Sequence, residues 1–140
     1  MIIQHQNLTN LASAILAAAG APKENAQAVA AHLVEANLKG HDSHGVGMIP
    51  SYVRSMLAGH INPANNAKLI KDNGAVVSFD AELGLGRVVG MQAMELGIER
   101  AKQLGICCVA LGNAAHLGRI GAFGEACADA GLVSTHYVNV

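Results

Sequence analysis

The chain has 140 residues, 51% of them apolar and 14% charged, with a formal net charge of −1. That length suits one ordinary domain, and the balance of apolar to charged residues weighs against intrinsic disorder and against a basic nucleic-acid surface. The longest small-and-apolar stretch, residues 11–21, is shorter than the roughly 20 residues that cross a bilayer, and residues 1–5 lack a basic secretory start, so no membrane partner is expected and the cytoplasm is the default compartment.

In the first third, Leu8, Leu11, Ile15 and Ala19 recur at helical spacing behind Asn7, a candidate cap, and Gly20 offers a left-handed stop. Pro22 opens a second helix at its first position, carrying Val29, Leu33 and Ala36 on one face as far as Gly40. Two antiparallel helices are expected. After a polar turn over residues 40–45, Pro50 starts a third helix with Val53, Met56 and Leu57 inward and Gly59 closing it.

From Lys68 the period becomes that of strands. Residues 68–71 and 75–79 flank Asp72-Asn73-Gly74, and Asn-Gly suits the positive φ angles of a type I′ hairpin turn. Met91, Met94, Ile98 and Ala101 predict a helix over about 87–104, stopped by Gly105, and residues 106–111 predict a strand buried on both faces. A helix over about 120–130, with Phe123 and Cys127 inside, precedes a partly alternating strand over 133–140. Cys107, Cys108 and Cys127 form neither a disulfide framework nor a metal knuckle and read as buried thiols. The expected class is α/β, with a helical segment over 1–60 and a mixed sheet with flanking helices over 61–140. Because Val138-Asn139-Val140 ends inside apparent strand, the expectation is a truncated polypeptide.

The densest polar cluster is Gly40-His41-Asp42-Ser43-His44-Gly45-Val46-Gly47. A hydroxyl beside an imidazole can hold one ring tautomer, and imidazole exchanges protons near neutral pH. The plain alternative is an interhelical turn in which Ser43 or Asp42 caps the next helix. His41, Asp42 and His44 could also face one ion, but further ligands and a second shell are missing from the pattern, so no metal ligand is assigned.

Gly84-Leu85-Gly86-Arg87-Val88-Val89-Gly90 imitates a dinucleotide fingerprint loosely. The strand before it belongs to a hairpin, and the next strand ends in Ala110-Leu111-Gly112-Asn113 without a ribose-binding acid. Those glycines therefore read as helix entry and close packing. In residues 112–121, His116 and Arg119 lie beyond a strand's carboxyl end, where backbone amides and an arginine suit a phosphate or carboxylate; the alternative is an ordinary loop with a solvated arginine and a packing histidine.

Residues 36–53, from Ala36-Asn37-Leu38-Lys39 through Asp42-Ser43-His44-Gly45 to Tyr52-Val53, taken with Asn113-Ala114-Ala115-His116-Leu117-Gly118-Arg119-Ile120-Gly121, resemble the malate/L-lactate dehydrogenase family of the second type. The likeness extends over essentially the whole chain. It implies a non-Rossmann, malate/L-lactate (sulfolactate) dehydrogenase-like fold, NAD or NADP as cofactor, and interconversion of 2-hydroxy and 2-oxo acids, or of amino and imino acids in some members. It further implies a homodimer with its active site between domains. By resemblance, Ser43 and His44 form a proton-relay pair and His116 is a second catalytic or nicotinamide-side histidine. His116, Leu117, Gly118, Arg119 and Ile120 contact the dinucleotide, and Met48 and Tyr52 face the substrate.

Several members carry arginine at the position of Met48, a carboxylate clamp that methionine cannot supply, which leaves the substrate open. Family chains are also longer, and their downstream part supplies an acid of the relay, most cofactor contacts and the rest of the sheet. The chain alone is therefore expected to be inactive. The rival expectation is a noncatalytic oligomerising module or gene remnant, paired through apolar helix faces and an open strand edge.

Overall fold

The computed structural model describes residues 3–139. Helices α1 (His5–Ala18) and α2 (Lys23–Leu38) join through a tight turn in which Gly20 takes φ 105° and Pro22 occupies the N-cap of α2, one position before its first helical residue. The buried residues of α2 include Val29, Leu33 and Ala36, as its apolar spacing predicts, and Gly40 ends it in the left-handed region at φ 77°. In α1 the register differs from expectation. The helix starts at His5, so Asn7 lies inside its first turn, and the buried residues are Thr9, Ala12 and Leu16, while Leu11 and Ile15 are exposed. With apolar residues on more than one face of α1, small Ala12 and Thr9 take the inner side, where two helices approach closely.

Helix α3 (Ile49–Leu57) has Pro50 in its first turn and Gly59 beyond its end at φ 75°. It buries Ile49, Tyr52 and Met56; Val53 is half-buried and Leu57 exposed, which rotates the inward face away from the expected one. One core forms from these three helices, with Leu16, Leu33, Tyr52 and Met56 among its members, and it also takes in Ile61 and Leu85 from farther along the chain.

Strands β1 (Lys68–Asp72) and β2 (Val76–Asp80) pair antiparallel, with an irregularity between Leu69 and Lys71. Their turn is not type I′. Gly74 takes φ 71° but Asn73 is not in the positive region, and the turn is held instead by the Asp72 carboxylate, which accepts the Gly74 amide at 3.0 Å. Helix α4 (Gly86–Leu104), closed by left-handed Gly105, carries the chain across to β3 (Cys108–Gly112), which pairs parallel with β2 to give the order β1-β2-β3. A second core of Val77, Phe79 and Ala93 lies between sheet and α4.

Three expectations for the second half are corrected. Strand β3 is covered on one face only: Val109 and Leu111 pack toward the second core, whereas Cys108 and Ala110 are exposed. Among the three thiols, Cys127 is buried, Cys107 half-buried and Cys108 exposed. After α5 (Gly121–Asp129), which buries Phe123 and Cys127 as expected, residues 133–139 form no strand; Val140 lies outside the described residues. A strand needs a partner edge, and this segment instead runs near α5, with His136 Nε2 3.7 Å and Ser134 Oγ 3.9 Å from the Cβ position of Gly124. Among the described residues no helix is long and apolar enough to cross a membrane.

Candidate active site

The Gly40–Gly47 segment folds as two 3-10 turns, Asp42–His44 and Val46–Met48, wrapped on the end of α2. Asn37 holds both. Its Nδ2 donates to Asp42 Oδ1 at 2.6 Å and its Oδ1 accepts the Val46 amide at 2.9 Å, while a Cβ on Gly45 would collide with the Asn37 amide group. Neither Ser43 nor Asp42 caps α3, which has no side-chain cap. Ser43 Oγ instead lies 2.9 Å from Nδ1 of His44.

The ring of His44 stacks on that of His116, with centroids 5.3 Å apart and planes 24° from parallel. Tyr52, buried on α3, sits edge-on to His116 with its hydroxyl 2.8 Å from Nδ1. Burial pushes the Tyr52 phenol up to about 12, so it keeps its proton throughout the neutral range. Desolvation, and then the charge of His44, hold the His116 imidazole below its usual range. Met48 is half-buried against the helical core, and the Tyr52 hydroxyl is engaged by His116.

Behind His116, residues 113–116 are laced onto the turn after β2. The Leu83 amide donates to Asn113 O at 2.9 Å, the Ala115 amide to Gly84 O at 3.2 Å, and Asn113 Nδ2 to Asp80 Oδ1 at 3.1 Å. A Cβ on Gly86 would collide with the carbonyl oxygens of Ala115 and His116, and one on Gly90 would lie 2.8 Å from the Phe123 ring. The glycine run thus serves helix entry and close packing. Gly86→Ala must push backbone aside, so a loss of about 1–3 kcal/mol is expected by urea unfolding, while Gly47→Ala, with nothing within 4 Å, stays within about 0.5 kcal/mol.

Arg119 does not present a free cation. Its guanidinium, on a residue only 7% exposed, forks onto Glu125 with bonds of 2.9 and 2.7 Å and approaches Glu35 at 3.6 Å; Lys39 joins the same network at 2.6 Å from Glu125 and 3.0 Å from Glu35. Hydrogen bonds from Arg119 and then Lys39 hold the Glu125 carboxyl at about 2. A cavity of about 280 Å³ lies beside this network, lined by His41, His44, Gly118, Arg119, Ile120 and Gly121. The amides of Ile120 and Gly121 have no hydrogen-bond partner among the described residues. Leu117 faces a second, larger cavity bounded by α4, β3 and α5. No group of three or more His, Cys, Asp or Glu side chains converges among the described residues as a metal site would.

His32 is a site residue that reading the motifs misses. It lies on α2 with 3% exposure, and its Nε2 accepts the Arg119 amide at 3.1 Å. Burial first, then the nearby Arg87, lowers its pKa to about 4. The one signal for it in the chain is its place on the stripe of Val29, Leu33 and Ala36.

The family model for malate/L-lactate dehydrogenase matches residues 3–140. Hydroxycarboxylate dehydrogenase B of Escherichia coli (strain K12) is 50% identical over 135 residues, which cover 96% of this chain and 37% of that protein. L-sulfolactate dehydrogenase of Methanocaldococcus jannaschii is 38% identical over 139 residues, covering 99% and 40%. The solved structure of malate dehydrogenase from Pyrococcus horikoshii OT3 superposes with TM-score 0.89 at 33% identity, over 94% of this chain and 38% of that one. This chain therefore spans 37–40% of the length of these relatives. With its mixed three-stranded sheet and flanking helices matching the solved relative, and the family model matching from residue 3 onward, the chain belongs to the malate/L-lactate dehydrogenase family.

Proposed function

We propose that this chain carries the proton-transfer wall of an NAD- or NADP-dependent dehydrogenase that interconverts 2-hydroxy and 2-oxo acids. The observation that carries the reading is the stacking of His44 on His116, two imidazoles from distant loops, with His44 also lining the cavity beside Arg119. The donors there suit a dinucleotide. Unpaired amides at Ile120 and Gly121 match phosphate oxygens, and Gly118 and Arg119 line the same cavity, with the Arg119 charge offset by Glu125; the reading takes His116 and Leu117, the preceding residues of the same stretch, as further dinucleotide contacts. When bound, the nicotinamide supplies or takes the hydride.

The chain's own residues manage the proton. A carbonyl oxygen that becomes an alkoxide needs a proton as charge develops, and an imidazolium is matched to that task. His44, oriented by Ser43 at 2.9 Å, gives this proton in reduction and takes it back in oxidation. His116, held neutral by desolvation and set in place by Tyr52, orients the reacting oxygen. Met48 offers no charge, so the substrate carboxylate is held by residues outside this stretch. The reading takes residues 1–60 as the helical half and 61–140 as the beginning of the cofactor-binding half. It places the complete site in a cytoplasmic homodimer.

Turnover is the test. Mixed with NADH or NADPH and oxaloacetate or pyruvate, the 140-residue chain is expected to consume no cofactor above background, because most of the positioning contacts of a full site are not among its residues. A chimera in which residues 3–139 replace the matching part of a full-length family member is expected to turn over. Equal rates for the two proteins would overturn the claim of a partial site, and an inert, folded chimera that binds no dinucleotide would overturn the dehydrogenase reading.

A further inference from the structure

From α2 the 116–119 loop meets Glu35, which reaches the Arg119 side chain at 3.6 Å, and a buried imidazole, His32, that holds the loop backbone and that no step of the proposed reaction uses. His32 is the one buried histidine among the described residues. The Arg119 amide that it accepts belongs to a residue only 7% exposed, so without an acceptor that N–H would be buried and unpaired. Accepting at Nε2 puts the ring proton on Nδ1, which has no hydrogen-bond partner among the described residues. Gly118 turns directly over the ring at φ 76°, and a Cβ there would collide with Nε2 of His32. The loop is shaped to the imidazole. Two residues before Gly118, His116 meets Tyr52 and stacks on His44.

From this geometry we infer that His32 is a positioning residue: through the Arg119 amide it sets the depth of the loop and thereby the placement of His116 against His44 and Tyr52. The inference takes its reaction from the dehydrogenase reading but rests on contacts within the chain. His32 touches neither of the stacked rings by hydrogen bond, and its ring packs at 6.3 Å from that of Phe123. Other ties fix the loop from elsewhere, Gly86 behind the 115–116 carbonyls and Glu125 on the Arg119 guanidinium. The His32 bond joins the loop backbone to the helix that also carries Asn37, the clamp of the His44 loop. One helix therefore sets both histidine loops.

The experiment uses the 140-residue chain without cofactor, as wild type, His32→Leu and His32→Gln. It reads hydrogen exchange at the Arg119 amide and the ring ¹⁵N shifts of His116, with far-UV circular dichroism as the check on folding. For His32→Leu, exchange at Arg119 is expected to rise about fivefold or more, and the His116 ring shifts are expected to move toward a tautomer average. His32→Gln, whose amide oxygen reaches about as far as Nε2, is expected to restore both. A folded His32→Leu chain with unchanged Arg119 protection and unchanged His116 shifts would overturn the inference, as would failure of glutamine to rescue either. If the leucine variant does not fold, His32→Gln decides alone: wild-type signals at both positions support the role, and their loss overturns it. None of these readouts needs turnover, so their failure leaves the dehydrogenase reading to stand or fall on the chimera.

Discussion

Replacing His44 with alanine in the full-length chimera is expected to lower kcat by about 10²- to 10⁴-fold while KM changes little, measured as steady-state NADH oxidation with a 2-oxo acid. The size follows from the role, since a general acid acts only in the transition state. The proposed choice of His44 over His116 rests on the geometry of the pair. Two imidazoles stacked at 5.3 Å repel one another when both are charged, so the pair carries one proton more readily than two. His116 is the poorer holder because it is desolvated and faces His44, while Ser43 fixes the His44 ring from outside the stack. Ser43→Ala, which removes orientation but leaves the acid, is expected to cost less than His44→Ala. Loss confined to His116→Ala, with His44→Ala within twofold of wild type, would transfer the proton to His116.

The elements that local pattern predicted well are those whose ends are set by glycine geometry. α4 ends where Gly105 enters the left-handed region, and α2 ends at Gly40 for the same reason. Pattern failed where burial depended on a partner it could not see. In α1, Leu11 and Ile15 are apolar at helical spacing yet exposed, because the neighbouring α2 accepts the smaller Ala12 and Thr9 side of the helix. In β3, an unbroken apolar run predicts cover on both faces, but among the described residues only α4 covers one. Residues 133–139 have strand composition without a paired edge. The site shows the same division. Ser43, His44 and His116 stand in conspicuous loops, but the bond between Tyr52 and His116 crosses 64 residues and no local spacing encodes it. His32 has no motif around it at all, because its significance comes from the loop folded over it.

Acid should expose that buried imidazole in the stability of the chain. In the unfolded chain His32 takes up a proton near 6.5, whereas in the fold it resists protonation down to about 4, owing to desolvation first and to Arg87 and Arg119 nearby, with Glu35 acting in the opposite sense. Between those values the unfolded state binds more protons than the native one, so stability falls as pH is lowered from 6.5 to about 4 and the loss then levels off. The full effect is about 3 kcal/mol for a group this deeply buried. His116, also held low, adds loss in the same direction. Glu125 acts in a lower window: its native value of about 2 stabilises the fold above its ordinary 4.5, and that contribution fades as pH falls toward 2. Urea unfolding of wild type and His32→Gln between pH 4 and 7 separates these terms. The glutamine variant is expected to lose most of the slope above pH 4.5 while keeping the part due to His116, so the difference in stability between the two proteins shifts in favour of the glutamine variant as pH falls from 6.5 to about 4. Parallel curves for the two proteins across this range would show that the native state takes up the His32 proton as readily as the unfolded chain does, and the imidazole would then have no role in acid stability.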